Sequence, residues 1–200
     1  MEDISRPVGR PREFDLDDAI RSAMNVFWDQ GYHDAALPDL LAKMGITKGS
    51  FYKAFGDKKA IFLRAMKLYS EDAAQSIRKV LASDPSPKVA IRNAFLRFAD
   101  LSSGEDGRRG CLAVLTAAEM LPADTESAEL VRSHYERLQN LFADAVRKGQ
   151  AMGEINKDLD PDVVSQFIVA HAQGMRVLGK LESTRKQMLT EVDLVTRMLF

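Results

Sequence analysis

The sequence predicts an all-α protein in which an N-terminal unit of three short helices is joined by a long helix to a C-terminal helical bundle, with about nine helices in total. In almost every segment longer than a dozen residues, apolar positions recur every three or four residues, which is the period of a helix. Glycine and proline separate these segments. The 200 residues are 46% hydrophobic and 28% charged, so the chain can fold and is not a disordered tail.

The composition excludes several classes of protein. Lys and Arg number 28 and Asp and Glu number 29, so any binding to a polyanion must come from local clustering of charge. The single cysteine, Cys111, excludes an intrachain disulfide and a multi-cysteine metal site, and it fits a reducing compartment. The longest apolar run has five residues, whereas a membrane span needs about 18. With no secretory signal either, we expect a soluble cytoplasmic protein without a membrane partner.

The N-terminal part begins with a polar, Arg- and Pro-containing arm over residues 1–13. A first helix is expected from Asp15, whose carboxylate can cap it, to Gly31. Two very short helices follow, over residues 38–44 and 47–55.

A long helix is predicted from about residue 57 to residue 81, before a break at Ser83 to Pro87. Beyond the break, the periodicity predicts five more helices, roughly over residues 87–102, 111–121, 126–152, 161–182 and 185–199. The expected domains are a flexible basic arm (1–13), a helix-turn-helix domain (14–64) and a helical ligand-binding and dimerisation domain (65–200).

The two short helices form a helix-turn-helix. Helices of this length are not stable alone, so they must pack on each other and on the first helix. Gly45 allows the sharp turn between them, and Thr47 can cap the second one. The side chains expected to face inward are Leu37, Leu40, Leu41, Met44, Ile46, Phe55 and either Phe51 or Tyr52.

The second short helix is basic on its outer side. Polar and basic residues on or just beyond that side are Lys48, Ser50, Lys53, Lys58 and Lys59. Gly49 costs about 1 kcal/mol relative to alanine inside a helix, which is understandable if another surface approaches closely. A basic run is often only a solvated face. Combined with the turn, it indicates a helix suited to the major groove of DNA.

The same residues resemble a known family. The pattern consists of Gly31-Tyr32, Asp39-Leu40, Gly45-Ile46-Thr47-Lys48-Gly49-Ser50-Phe51-Tyr52, Phe55, Lys58 and Ile61-Phe62. Over about residues 14–64, without gaps, it is similar to the N-terminal domain of the tetracycline-repressor (TetR) family. The resemblance implies a transcription regulator, usually a repressor, that binds a palindromic operator as a homodimer. A small-molecule or oxidant signal at the C-terminal domain would release it.

The resemblance also implies roles for individual residues. Thr47, Lys48, Ser50 and Phe51 would face base edges or nearby backbone, with Lys53 on the same basic side, and Tyr52 and Lys58 would contact phosphates. The chain departs from the family at Ala35 and Ala36, where hydroxyl residues are common, and at Leu41, where alanine is usual. The first departure removes a helix cap and one phosphate contact.

Arg10 and Arg12 resemble the arms that some members lay in the minor groove, where narrow A·T tracts concentrate negative potential. The alternative is a solubilising tail. By the same family analogy, the homodimer forms through helices 161–182 and 185–199. Gly174, Gly179 and Ala172 would let a partner helix come close, although these faces also serve packing within the chain.

A ligand pocket between the C-terminal helices is a further expectation. Its candidate residues are Phe95, Phe98, Cys111, Leu115, Glu119, Tyr135, Phe142 and His171. Aromatic residues at helical spacing are also typical of plain core. Glu119 either orients a ligand or caps a neighbouring backbone.

Cys111 follows Arg108 and Arg109 at an expected helix start, where positive charge would favour the thiolate. The surrounding stretch resembles a subset of the family that senses oxidants or electrophiles. The alternative is a buried, inert cysteine.

An all-α enzyme is the competing interpretation. The sequence has no phosphate-binding loop, no nucleophile elbow and no His-Glu-x-x-His or Glu-x-x-His motif. Its three histidines, His33, His134 and His171, lie on different predicted elements. We therefore expect a regulator without catalytic residues, metal or cofactor. A helix-turn-helix protein that only scaffolds DNA or proteins, with no effector, is the other alternative.

Overall fold

The computed structural model describes residues 14–200, and these residues form ten α-helices. The helices are α1 (Leu16–Gln30), α2 (Leu37–Met44), α3 (Lys48–Phe55), α4 (Lys58–Leu81), α5 (Pro87–Leu101), α6 (Gly104–Arg109), α7 (Leu112–Met120), α8 (Thr125–Ala151), α9 (Pro161–Gly179) and α10 (Arg185–Leu199). The predicted all-α fold is confirmed. All nine expected helices are present, and the tenth, α6, is a six-residue helix within the predicted connector between residues 103 and 110.

Local capping chemistry fixes the helix boundaries of the N-terminal unit. The carboxylate of Asp15 accepts from the backbone N–H groups of Asp17 and Asp18, at 2.8 and 3.1 Å, and starts α1. Thr47 caps α3 by accepting from the Ser50 backbone N–H at 3.2 Å. Ala36 is the N-cap residue of α2 and provides no side-chain hydrogen bond, as expected from an alanine at this position.

The turn between α2 and α3 depends on Gly45. This residue adopts the left-handed conformation, with φ 65° and ψ 30°, and its N–H closes the end of α2. A side chain at this φ would strain the backbone. The two eight-residue helices are then held by packing, because Leu40 of α2 and Phe51 of α3 are fully buried.

The long helix α4 belongs to both halves of the molecule. Its first turns place Ile61, Phe62 and Met66 in a core shared with α1, α2, α3, α7 and α8. Ile77, near its C-terminal end, joins a second core built mainly from α5, α8, α9 and α10. The N-terminal unit therefore does not close its core alone, since Leu112 and other α7 residues complete it.

Within residues 14–200, none of the helices combines the length and the apolarity that a bilayer span requires.

Candidate nucleic-acid interface and interior cavity

The outer face of α3 exposes polar groups around a glycine. Thr47, Lys48, Gly49 and Lys53 are exposed, and Tyr52 keeps 47% of its surface accessible. Ser50 is half-buried beside them, and its hydroxyl accepts from the Thr47 hydroxyl at 3.0 Å. The start of this short, capped helix therefore presents accessible polar and basic groups.

Phe51 lies on the opposite side of α3, which corrects its assignment to the base-reading set. It is fully buried, and its ring centroid is 5.6 Å from that of Phe55. Residues four apart share a helix face, so Phe51 and Phe55 hold α3 against the core. Of the two candidates for the inward position, Phe51 is the inward one and Tyr52 faces solvent.

Gly49 has an outward side that nothing in the described chain fills. A Cβ atom built there would meet only the Thr47 hydroxyl oxygen, at 4.0 Å. Its backbone is helical, so neither strain nor internal crowding requires glycine at this position. The space lies outside the chain, where another surface can approach the backbone closely.

Lys58 and Lys59 begin α4 but have different surroundings. The Lys58 ammonium donates to the His33 backbone carbonyl at 3.2 Å and lies 4.8 Å from the centroid of the Tyr32 ring. Lys59 instead pairs with Asp124, and it donates to the Ser127 hydroxyl at 3.0 Å. The hydrogen bond from Lys59 and that from the Ser127 backbone lower the pKa of Asp124 to about 2. Lys59 thus ties α4 to the start of α8.

Arg10 and Arg12 lie outside the described residues, so the minor-groove arm stays a prediction.

A cavity of about 180 Å³ lies between α1, α4, α5, α8 and α9. Its walls are formed by Met24, Trp28, Tyr69, Asp72, Ala73, Ser76, Ile77, Arg97, Phe98, Leu101, Cys111, His134, Leu138, Gln173 and Arg176. Because Met24 and Trp28 belong to α1, the cavity touches the N-terminal unit directly.

Of the eight predicted pocket residues, Phe98 and Cys111 line this cavity. Phe95 and Phe142 are fully buried in the second core, and the His171 ring packs against Phe95 with centroids 5.9 Å apart. Leu115, Glu119 and Tyr135 do not line it either. These six candidates thus lie outside the cavity wall, because periodicity places a residue on an inner face but does not say which helices that face meets.

Arg176 lines the cavity although it was not among the predicted pocket residues, and it matters most for the charge of the cavity. It is only 4% exposed, and burial lowers the pKa of its guanidinium. One terminal nitrogen donates to the Gly110 backbone carbonyl, and the other has no hydrogen-bond partner. Its spacing of four from Ala172 on the inner face of α9 was the signal that could have found it.

Cys111 is the N-cap residue of α7 and is 6% exposed. Its sulfur accepts from the Tyr69 hydroxyl at 3.3 Å, and burial together with the nearby Cys111 raises the pKa of Tyr69.

The two arginines expected to activate Cys111 have other partners. Arg108 pairs with Glu182 at 3.1 Å, and Arg109 pairs with Asp29 at 2.7 Å. The guanidinium of Arg109 also lies 4.3 Å from the centroid of the Trp28 ring. Arg176 is the cation that interacts electrostatically with Cys111. Burial lowers the pKa of its guanidinium, and the interaction with Cys111 opposes this by a smaller amount.

Glu119 caps the end of α1 and does not line the cavity. Its carboxylate accepts from the backbone N–H groups of Tyr32 and His33, at 2.8 and 3.1 Å. At the other end of α7, the Trp28 indole N–H donates to the Gly110 carbonyl at 3.2 Å. The helix α7 is therefore fixed at both ends to the C-terminal part of α1.

Exposed apolar residues, called here the stripe, lie on the outer side of α9, just beyond its end and on α10. Its exposed members are Val163, Phe167, Val177, Leu178, Leu181, Leu194 and Met198. Gly174 also faces open space, but Gly179 packs on the Ser102 backbone and Ala172 is fully buried. The last two therefore serve packing within the chain, and of the three small residues only Gly174 is free for a partner helix among the parts described.

Comparisons with known proteins agree with this geometry. Residues 19–65 match the family described as bacterial regulatory proteins, tetR family, and residues 87–191 match the tetracyclin repressor-like C-terminal domain. The chain is 30% identical to the HTH-type transcriptional repressor DhaR of Mycobacterium sp. (strain GP1), covering 86% of this chain and 87% of that protein. It is 27% identical to the uncharacterized HTH-type transcriptional regulator YezE of Bacillus subtilis, covering 93% and 96%.

A solved structure shows the same fold. It contains a cysteine mutant of the TetR family transcriptional regulator CifR complexed with a 26-base-pair double-strand operator DNA. The TM-score is 0.84 at 30% identity, over 94% of this chain and 98% of that one.

We predict that Glu119→Ala lowers the free energy of unfolding by about 1–2 kcal/mol, because the backbone N–H groups of Tyr32 and His33 lose a charged acceptor. Urea denaturation followed by circular dichroism measures the change. Glu129→Ala removes an exposed carboxylate from α8 and should stay within about 0.5 kcal/mol of the wild type. Equal stabilities of the two variants would contradict the stabilising role of the Glu119 hydrogen bonds.

Proposed function

Because the chain belongs to the tetracycline repressor (TetR) family of DNA-binding transcriptional regulators, we propose that it is a repressor that binds a palindromic operator as a homodimer. A signal received in the C-terminal body releases it from DNA. As a member of this family it is a regulator and not an enzyme. We place its action in the cytoplasm, where a bacterial regulator meets its DNA.

The outer face of α3 is the observation that carries the proposal. Thr47, Lys48 and Tyr52 are exposed around a glycine whose outward side is empty, while Phe51 anchors the helix from inside. In a helix-turn-helix, the N-terminal residues of the second helix reach base edges in the major groove. A relative that is similar over 94% of this chain is complexed with operator DNA, which supports DNA binding here.

Different residues have different tasks in this arrangement. Thr47, Lys48 and Ser50, at the start of α3, read base edges, and Lys53 adds charge beside the backbone. Tyr52 and Lys58 hold phosphates, and the latter does so from the positive end of α4. We extend the same electrostatic reasoning to Arg10 and Arg12 as minor-groove contacts.

The exposed stripe on α9 and α10 supports a homodimer. Large exposed apolar patches on a soluble chain mark interaction surfaces, and Phe167 and Leu178 keep 42% and 44% of their surfaces accessible. Two-fold pairing through this stripe presents two α3 helices to two half-sites, which a palindromic operator requires.

The cavity supports release by a small molecule. Its wall includes Met24 and Trp28 of α1, and α7 fixes α1 at two points. A molecule that expands the cavity displaces α1, and with it the helices that pack on α1. This coupling distinguishes a regulated repressor from a protein that only scaffolds DNA.

Cys111 supports a second kind of signal at the same place. It is a cavity-lining thiol next to Tyr69 and under the influence of Arg176. An electrophile entering the cavity would form a bond to its sulfur, with the thiol proton passing to the adduct.

We expect Lys58→Ala and Tyr52→Phe to weaken binding to all DNA sequences alike, since phosphates carry no sequence information. Loss of the Lys58 ammonium lowers the magnitude of the slope of log K against log salt by about 0.9, whereas loss of the neutral Tyr52 hydroxyl leaves this slope unchanged. Lys48→Ala and Thr47→Ala should instead change which bases are preferred at one position per half-site.

Fluorescence anisotropy with the native upstream region and single-base variants, at several salt concentrations, separates the two behaviours. Lys79→Ala, an exposed lysine at the far end of α4, is the control and should bind as the wild type does. Unchanged operator affinity in all four α3 and α4 variants would disprove the assignment.

We predict a dimer for the wild type and a folded monomer for the double variant Phe167→Arg, Leu194→Arg, because opposed cations replace apolar contacts across the two-fold axis. Sedimentation equilibrium measures the state. Val89→Arg changes a residue of α5 that is 41% exposed and lies outside the stripe, so it should stay dimeric. Dissociation of the control, or a monomeric wild type, would refute the interface.

We predict that N-ethylmaleimide weakens operator binding by the wild type and leaves Cys111→Ser unaffected, because the chain has no other thiol to alkylate. Anisotropy before and after treatment, with mass spectrometry to count adducts, tests this. Equal loss in both proteins would exclude Cys111 as a sensor.

A further inference from the structure

The cavity contains a buried cation without a counter-ion. Arg176 is 4% exposed, and its only hydrogen bond runs to the Gly110 carbonyl. Its second terminal nitrogen has no hydrogen-bond partner. Asp106 acts on the pKa of Arg176 through its charge, by less than burial does, but forms no ion pair with it within residues 14–200. Proteins rarely leave a buried charge uncompensated, because its desolvation is costly. An anion entering the cavity would supply the missing partner.

The rest of the polar wall also favours an anion. Arg97 is a second cation, exposed on α5, and the one carboxylate of the wall, Asp72, is already paired with Arg21 at 2.6 Å. Burial, together with repulsion from Arg137, lowers the pKa of His134 to about 4, so its ring is neutral near pH 7. The wall therefore carries an excess of positive charge that no group of its own balances.

Two further buried polar atoms are available for a carboxylate. The Gln173 side-chain oxygen and the His134 Nδ1 atom have no hydrogen-bond partner. The amide of Gln173 can turn to offer its NH₂ group, and a neutral His134 can carry its proton on Nδ1. Both could then donate to an oxygen that Arg176 does not bind.

The remaining wall is apolar and small. It consists mainly of Met24, Trp28, Ile77, Phe98, Leu101 and Leu138. An engineered cavity of about 150 Å³ accommodates benzene, so about 180 Å³ accommodates one ring or a short chain with a carboxylate.

We infer that the cavity binds a small monocarboxylic acid whose carboxylate pairs with Arg176 and whose ring or short chain lies against the apolar wall. The inference rests on the proposed function, since it takes this cavity to be the effector site. It also explains the transmission of the signal. A carboxylate bound to the free terminal nitrogen of Arg176 acts on the same guanidinium that donates to the Gly110 carbonyl, and that carbonyl is also the acceptor of the Trp28 indole of α1.

The test compares acids with their uncharged amides on the full chain without DNA. Benzoate, phenylacetate and hexanoate are titrated beside benzamide, phenylacetamide and hexanamide, by calorimetry and by thermal shift. We expect saturable binding of at least one acid to one site per chain. Its amide should bind about 10- to 100-fold more weakly, because it lacks the charge that Arg176 selects. This ratio is measured on the wild type and does not depend on any variant folding.

Arg176→Met should lose the preference for the acid while still binding the amide. We expect it to fold, because methionine removes an uncompensated buried charge and keeps the volume, and circular dichroism checks this. Arg176→Lys keeps the charge and should retain part of the preference. The matched control is Arg108→Met, an exposed arginine paired with Glu182, which should leave both affinities unchanged.

Three results would overturn the inference: amides that bind as tightly as the acids, a folded Arg176→Met with wild-type affinity for the acid, or no saturable binding by any acid of the panel. Anisotropy with operator DNA then separates this inference from the proposed function. An acid that binds but leaves operator affinity unchanged supports the carboxylate site and refutes its role as the effector site.

Discussion

The carbonyl oxygen of Gly110 joins the parts of this molecule that must act together. It accepts from the Trp28 indole of α1 and from the Arg176 guanidinium of α9, at the corner where α6 meets α7. Gly110 has φ 68° and ψ −145°, a conformation that side chains oppose, and an added Cβ would lie 3.0 Å from the Lys180 side chain. Glycine at this corner therefore allows Trp28 and Arg176 to donate to the same carbonyl oxygen.

The DNA-reading unit and the cavity also share one packed core. The helices α2 and α3 have eight residues each, too few to be stable alone, so their geometry is inherited from α1, α4 and α7. Met24 and Trp28 of α1 form part of the cavity wall, while Phe27 between them in sequence is fully buried in the first core. Because interiors are closely packed, the cavity wall and α1 are mechanically coupled through these side chains.

The placement of charge suggests how stability and regulation are balanced. An unpaired cation in the interior destabilises the unliganded state, whereas a neutral side chain such as methionine at position 176 would not. The arginines that precede Gly110 are paired: the exposed Arg108 with Glu182 and the half-buried Arg109 with Asp29. These two arginines thus have carboxylate partners, whereas Arg176 in the cavity has none. Unpaired charges of this kind are typical of functional sites.

The sequence alone determined nine of the ten helices described and the starts of α1 and α3, since periodicity, the caps at Asp15 and Thr47 and the turn at Gly45 act between residues close in the chain. It also placed the basic face of α3 and its resemblance to the TetR family. Only the tertiary structure decided that Phe51 is an anchor and that Glu119 is a cap. Such roles depend on which helices become neighbours, and that is set by packing between residues far apart in sequence, for which a helical period carries no information.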